Sequence, residues 1–222
     1  MKDTSFMRKL GIAFVLLFAA FYLWQTPGIV TGKLDKEEID RYIGAADKQL
    51  AFPDPGAKAR ILTRVRAWAE ADDGKPFYML NLMRHYPELK RFPGSPNVQM
   101  TPKEANVYYE NAATGLLVPN AGSLPFGTDI HDKALITIDG DPANDNWSRL
   151  LLVRYPNRRA FLQLLASPDY APLEPYKMMA LEVLLVPTSG DVVAPDLRLA
   201  LGAVLLITFL FVGWLRSSRR PA

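Results

Sequence analysis

The chain has no cysteine and only two histidines among its 222 residues. The lack of cysteine excludes disulfides, thiolate nucleophiles, iron–sulfur clusters and cysteine-based zinc sites. The histidines, His85 and His131, lie far apart and form no HxH or HExxH motif. We therefore predict no bound metal and no cofactor.

Phosphate-binding loops and catalytic triads are also missing from the sequence. The segments AATGLL and GDPAND lack the preceding strand, the glycine spacing and the lysine of a phosphate loop. No nucleophile can be assigned together with a base and an orienting group, so the sequence leaves open whether the protein is an enzyme. The net charge of +3 arises at the two ends of the chain, and the middle is slightly acidic. We therefore predict no nucleic-acid partner.

Long uncharged apolar segments lie near both ends. Residues 10–30 and 199–215 carry no charged side chain, and each is close to the roughly 20 residues that cross a bilayer. Trp24 and Trp214 lie near the segment ends, where aromatic rings favour the membrane interface. These features predict transmembrane helices over 10–30 and 197–215.

Basic residues flank both predicted spans, in the N-terminal segment 1–9 and in the C-terminal tail 216–222. The positive-inside rule then places both termini in the cytoplasm and residues 33–195 outside a bacterial-type inner membrane. An alternative for the first segment is a cleaved signal peptide, because a basic start before a short apolar core also fits that.

The region between the spans divides into two parts. Residues 33–73 form a helical preface, two amphipathic helices separated by Phe52-Pro53-Asp54-Pro55. Residues 76–188 then alternate β-type and helical patterns in the order βαββαβ, with strands at 76–86, 148–156 and 181–187, a β-rich stretch at 121–140, and helices at 101–117 and 157–166. This order predicts an α+β, ferredoxin-like domain.

The strand patterns FYMLNLM, LLLV and LEVLLV are apolar almost throughout. An antiparallel sheet with one solvated face would alternate apolar and polar residues. Both faces are therefore predicted to be covered, one by the two helices and the other by a second copy of the domain. This predicts a homodimer that forms through the sheet face.

Several motifs in 76–188 carry a family resemblance: FYMLNLMR, the Tyr108-Tyr109 pair, RYPNRRAFLQLLASPDYAPL and MMALEVLLVP. Together they resemble the small dimeric α/β-barrel family of uncharacterised function, distantly related to antibiotic-biosynthesis-type monooxygenases. The resemblance implies two ferredoxin-like subunits with their sheets pressed together. Some relatives are cofactor-independent monooxygenases, isomerases or haem proteins. The chain departs from the family pattern at Asn157, where serine is usual, and at EPYKMM, where a His-Arg pair is often found.

Five side chains are candidates for binding a ligand: Asn81, Arg84, His85, Tyr109 and Arg154. Asn81 is the only polar residue within the apolar run of the first strand, and it either orients a ligand or bonds the backbone or a partner subunit. Arg84 and Arg154 end two strands, where they would hold an anion, and His85 would serve as a general base or a haem ligand. The alternative for the strand-end residues is a solvated surface.

Two functional hypotheses follow. The preferred one is a membrane-anchored protein with an extracytoplasmic dimeric domain that binds a partner or a small molecule without turnover. The alternative is an enzyme of the cofactor-independent monooxygenase or isomerase type, acting on a small acidic or apolar substrate.

Overall fold

The computed structural model describes residues 2–135 and 145–189, together with scattered positions between 203 and 218. The chain divides into two compact units. One consists of Met1–Trp24 and Gly190–Ala222, and the other is Gln25–Ser189. The second unit contains all the strands that the structure describes.

The N-terminal helix α1 spans Lys2–Gln25. It begins with charged turns that include Arg8 and Lys9, and it ends just before Pro27. Its uncharged part is therefore about 16 residues or roughly 24 Å long, whereas a hydrocarbon core is roughly 30 Å thick. Across the described ranges, no helix combines the length and apolarity that a bilayer crossing requires.

The prediction of two transmembrane helices is therefore wrong. Residues 10–30 do not form one continuous helix, because the chain breaks at Thr26 and Pro27 before the short helix α2, Gly28–Thr31. The second predicted span, 197–215, lies largely outside the described residues. Three further predictions depended on these spans and are corrected with them: the fold class with flanking membrane helices, the membrane as a partner, and the inner-membrane location with residues 33–195 outside.

Two capped helices precede the sheet, α3 at Lys36–Gln49 and α4 at Pro55–Glu70. Asp35 begins α3 with a capping box, in which its Oδ1 accepts from the backbone N–H of Glu38 at 2.8 Å. Asp54 begins α4 by accepting two backbone N–H groups of the first turn. These side chains satisfy donors that a helix start leaves unpaired, so both helix starts are encoded locally.

The sheet has four antiparallel strands in the order β2-β3-β1-β4. Their bounds are Phe77–His85 for β1, Ser123–Asp129 for β2, Arg149–Tyr155 for β3 and Leu181–Thr188 for β4. Two helices connect β1 to β2: helix α5, Pro102–Leu117, and a 3-10 helix, Val118–Asn120. Two helices also connect β3 to β4: α6, Arg158–Leu165, and α7, Glu174–Ala180. The elements from β1 to β4 thus run βαββαβ, with the second helical connection in two pieces.

The Tyr-Pro-Asn turn after β3 is the start of a helix. Asn157 accepts the backbone N–H of Ala160 through Oδ1 at 2.9 Å, which caps α6. Tyr170, in the following Ser-Pro-Asp-Tyr segment, is buried and contacts Tyr109 on α5. The Tyr-Pro-Asn turn and the Ser-Pro-Asp-Tyr segment therefore both position helices against the sheet.

The two faces of the sheet differ in their cover. On one face Phe77, Met79 and Met83 are buried beneath the helices, and Phe77 stacks on Tyr155 with ring centroids 5.2 Å apart. On the other face, the large side chains of Phe126, Leu184 and Val186 are 53%, 48% and 36% exposed. The helices thus cover one face, and apolar side chains remain exposed on the other.

Candidate functional site

A pocket of about 210 Å³ lies where three strand ends meet the first half of α5. The register places Met83 opposite Arg149 and Arg149 opposite Asp129, so the end of β1, the start of β3 and the end of β2 form one edge. The pocket is lined by His85, Lys103, Asn106, Val107, Glu110, Asn111, Asp129 and Arg149. Seven of its eight lining residues therefore have polar or charged side chains.

Arg149 is at the centre of the charges in this pocket. Its Nε and Nη2 donate to the two carboxylate oxygens of Glu110, and its Nη1 donates to Oδ1 of Asp129 at 3.0 Å. Lys103 donates to the other oxygen of Asp129 at 3.3 Å. Hydrogen bonds from Lys103, and to a smaller extent from Arg149, hold the pKa of Asp129 below its ordinary value. The two cations of the pocket are thus paired with two carboxylates.

Asn106 is the most deeply buried polar residue of the pocket lining, with 2% of its surface exposed. Its Nδ2 donates to Oε1 of Glu110 at 2.9 Å, one helical turn along α5. Its Oδ1 is buried and has no hydrogen-bond partner among the residues that the structure describes. A buried acceptor in this state costs about 1–3 kcal/mol.

His85 is the last residue of β1, and its side chain lies on the same face as Met83. Its backbone N–H donates to Oγ of Ser148 at 3.1 Å. The ring atom Nε2 is buried and unpaired within the described part of the chain. Burial lowers the pKa of His85, and the charge of Lys103 lowers it further against the opposing effect of Asp129. The folded protein therefore favours the neutral imidazole.

A row of buried polar side chains continues beneath the helices. Lys177 on α7 donates to Oδ1 of Asn81 at 3.2 Å and lies 5.2 Å from the centre of the Tyr109 ring. Burial lowers the pKa of Lys177 to about 8, although the carboxylates of Glu110 and Glu174 oppose this shift. Glu110 thus acts electrostatically on both Lys177 and Arg149.

Glu174, on the same helix as Lys177, is 1% exposed. Neither of its carboxylate oxygens has hydrogen-bond geometry with a described residue. Desolvation raises the pKa of Glu174 to about 8, and the Ala51 backbone N–H and Lys177, which favour the charged form, offset only part of the shift. This carboxyl group and the Lys177 amine therefore both have a pKa of about 8.

The five predicted site residues divide between the two faces of the sheet. Asn81, His85 and Tyr109 lie on the helix-covered side, and the hydroxyl of Tyr109 is 3.0 Å from that of Tyr170. Of these, His85 alone lines the pocket. Tyr108, which the sequence could not separate from Tyr109, is half-exposed and packs on Tyr176.

The two predicted arginines lie on the opposite face and apart from each other. Arg154 pairs in register with Tyr78, which is roughly 20 Å along β1 from Arg84. Arg84 donates to Glu182 at 3.2 Å and lies over the Trp147 ring, while Arg154 donates to Gln25. They do not meet in one anion site, and neither lines the pocket with His85.

Sequence reasoning missed Asn106, Glu110, Arg149, Asp129 and Lys177. A signal existed for the first two, because a spacing of four residues places Asn106 and Glu110 on one helix face. Arg149 and Asp129 come together only through strand register, which the sequence does not give. Within the described ranges, no three His, Asp or Glu side chains cluster as a metal site would require.

Comparisons with known proteins add information about the fold only. The chain matches neither a known protein family nor a curated protein. It is similar to the crystal structure of the RPA0582 protein of unknown function from Rhodopseudomonas palustris, with a TM-score of 0.50 and 20% identity over 65% of this chain and 99% of the other. A structure of the methylated form of that protein is 22% identical, with a TM-score of 0.49 over 62% of this chain and 93% of the other.

Proposed function

We propose that the α+β domain of this chain binds a small molecule in the pocket beside α5 and does not transform it. The observation that carries this proposal is a pocket of about 210 Å³ at one edge of the sheet, lined by His85, Asn106 and the ion-paired Arg149 among other residues. His85 and Asn106 each also hold a buried polar atom, Nε2 and Oδ1, that lacks a hydrogen-bond partner in the described part of the chain. Polar groups in this state are rare in folded proteins.

The lack of turnover is supported by the state of the charged groups. Arg149 and Lys103 are each held by carboxylates, so no cation in the pocket is free to stabilise a developing negative charge. Apart from the ion-paired Lys103, the pocket lining contains no serine, threonine or lysine that a neighbouring base could activate as a nucleophile. These side chains suit a pocket that binds a molecule without reacting with it.

A ligand-observed NMR screen with a fragment library tests this proposal on the full chain. We expect fragments that bind to wild type to lose binding in His85→Ala and to keep it in His131→Ala, because His131 is exposed and does not line the pocket. Recovered ligand should be chemically unchanged. The proposal is wrong if no fragment distinguishes the two variants.

A second candidate function rests on His85 itself. A neutral imidazole with a lowered pKa and an unpaired buried nitrogen has the properties of a general base. The alternative is thus a proton-transfer enzyme of the isomerase type that needs no cofactor. Bound fragments incubated in D₂O distinguish the two: deuterium incorporation at a carbon that His85→Ala abolishes would favour the enzyme.

The proposal includes assembly of two copies through the open face of the sheet. Phe126, Leu184 and Val186 give that face exposed apolar side chains on β2 and β4. Burying such surface against a second copy is favourable by roughly 25 cal/mol per Å² before the costs of association. The pocket lies on the other side of the sheet, so binding and assembly use separate surfaces.

A further inference from the structure

Strand β4 forms one edge of the sheet, and on its outer side it has no partner strand among the described residues. We infer that this edge pairs with the β4 edge of a second copy of the chain, antiparallel and about a two-fold axis, so that two four-stranded sheets become one continuous sheet. The pairing uses the backbone of β4, whereas the face-to-face assembly proposed above uses side chains of the open face.

The hydrogen bonds between β1 and β4 show which backbone groups of β4 point outward. The N–H of Tyr86 donates to the carbonyl oxygen of Ala180 at 3.0 Å, at the position that continues the β1–β4 register past Leu181. Hydrogen-bonded and non-hydrogen-bonded pairs alternate along an antiparallel ladder. The even-numbered residues of β4 therefore bond β1, and the N–H and C=O groups of Leu181, Val183 and Leu185 point away from it.

Two further observations agree with this alternation. The N–H of His85 points away from β4 and donates to Oγ of Ser148, the residue before β3, at 3.1 Å. Pro187 stands at an outward position, where its missing N–H does not interrupt the ladder with β1. In the described part of the chain, the outward N–H groups of Val183 and Leu185 have no hydrogen-bond partner.

The middle of β4 is exposed on both faces of the sheet. Leu184 pairs in register with Leu82 on the open face and is 48% exposed. Leu185 pairs with Asn81 on the helix-covered face and is still 42% exposed, so the helices do not cover this part of the strand. An exposed apolar edge of this kind is a template for the addition of another strand.

The opposite edge of the sheet does not provide such a template. Strand β2 contains Pro125, and its pairing with β3 is irregular between Ser123 and Phe126. Proline and irregular pairing are features that block strand addition at an edge. Pairing of β4 with β2 of another copy, which would join copies head to tail, is therefore disfavoured. Pairing of β4 with β4 closes after two copies.

The sequence of β4 suits antiparallel pairing with itself. When Leu184 lies opposite Leu184 of the second copy, Val183 and Leu185 exchange both of their outward hydrogen bonds with the same two residues of that copy. Glu182 is the only charged residue of the strand, and it already accepts from Arg84 at 3.2 Å. In this register it lies opposite an apolar residue, so no like charges face each other. The paired stretch is short, so the association is weak and depends on concentration.

Amide hydrogen exchange of the full wild-type chain tests the pairing without any substitution. The N–H groups of Val183 and Leu185 should exchange about threefold more slowly at about 1 mM than at about 10 µM protein, because mass action lowers the unpaired fraction. The N–H groups of Leu184 and Val186 bond β1, and their exchange should not change with concentration. Exchange of Val183 and Leu185 that is independent of concentration would overturn the pairing.

A proline at an outward position provides a second test. Leu185→Pro removes an outward N–H and leaves the bonds to β1 and the open face unchanged, whereas Leu185→Ala, the matched control, keeps the N–H. In sedimentation, the mass of wild type and of Leu185→Ala should rise about twofold from about 10 µM to about 1 mM, whether or not the open faces also associate. The mass of Leu185→Pro should stay constant, and a rise equal to that of wild type would overturn the pairing. Loss of the folded structure in Leu185→Pro would contradict the outward position of this N–H.

The edge pairing and the binding function can fail separately. Leu185 does not line the pocket, so fragments should bind Leu185→Pro as they bind wild type. The fragment screen against His85→Ala therefore tests the pocket alone, and amide exchange and sedimentation test the edge alone.

Discussion

Arg149 donates two hydrogen bonds to Glu110, from Nε to Oε1 at 2.7 Å and from Nη2 to Oε2 at 2.6 Å. This pair joins the first residue of β3 to the middle of α5, and Asp129 extends it to the end of β2. The same interaction orients Asn106 through Glu110. One ion pair thus joins the helix to the sheet and fixes the orientation of the Asn106 amide.

Loss of this ion pair should destabilise the domain. Arg149→Met leaves the partly buried Glu110 without its cation, and we expect the free energy of unfolding to fall by about 1–3 kcal/mol. This loss is smaller than the loss for a fully buried ion pair, because Arg149 is partly exposed. Lys103→Met removes a more exposed pair and should cost less than about 0.5 kcal/mol. Urea unfolding of the two variants measures the contrast, and equal losses would refute it.

The hydroxyl groups of Tyr109 and Tyr170 form a buried pair 3.0 Å apart. Tyr109→Phe or Tyr170→Phe alone leaves one hydroxyl unpaired, so each should cost about 1–3 kcal/mol. The double variant removes both hydroxyls and should cost clearly less than the sum of the single variants. A double-mutant cycle by chemical denaturation measures this, and additive losses would show that the two hydroxyls do not interact.

The sequence predicts the strands and helices better than the site because they depend on local signals. The apolar run of β1, the Thr101 capping box and the Asn157 cap are all visible over a few residues. The pocket depends on strand register, which brings Asp129 and Arg149 opposite each other although no local pattern links them.

The membrane prediction fails for a related reason. Apolar composition over 10–30 says nothing about where the helix ends, and the chain leaves the helix at Gln25, before Pro27. The predicted arginine pair fails because strand-end residues were assumed to share a rim. Arg84 and Arg154 lie at different ends of the sheet, since β1 and β3 are antiparallel.

The carboxyl group of Glu174 should make stability fall as pH rises. Its pKa is raised to about 8 from an ordinary value of 4.5, so the folded state holds the proton more tightly than the unfolded state. Stability from this group is complete below about pH 4.5 and is lost as pH rises to about 8.

Glu174→Gln should remove this dependence and should be more stable than wild type above pH 8, by about 2–4 kcal/mol. Exposed Glu88→Gln is the control and should follow wild type at every pH. Chemical denaturation from pH 4 to 9 measures the slopes, and parallel curves for wild type and Glu174→Gln would contradict the assignment.

Lys177 should have the opposite effect at higher pH. Its pKa falls from an ordinary value of 10.5 to about 8, so the folded state disfavours the charged amine. The cost is complete below about pH 8 and disappears as pH rises to about 10.5, so stability rises over that range. Lys177→Met should lack this rise, and Lys75→Met, at an exposed position, should retain it. Denaturation curves at pH 8 and 10 test the difference.

The open sheet face should hold two copies of the chain together. Leu184→Glu places a charge among exposed apolar residues of β4, and we expect it to convert dimers to monomers in analytical ultracentrifugation. Val118→Glu, at an equally exposed site on the 3-10 helix, should leave dimers intact. Monomeric wild type at all concentrations would show that this face does not mediate self-association.

A crystal structure of the chain with a fragment from the NMR screen tests the central claim most directly. We predict the fragment in the pocket beside α5, in contact with His85 and with the Arg149–Glu110 pair unchanged. A fragment bound only elsewhere on the chain would contradict the account.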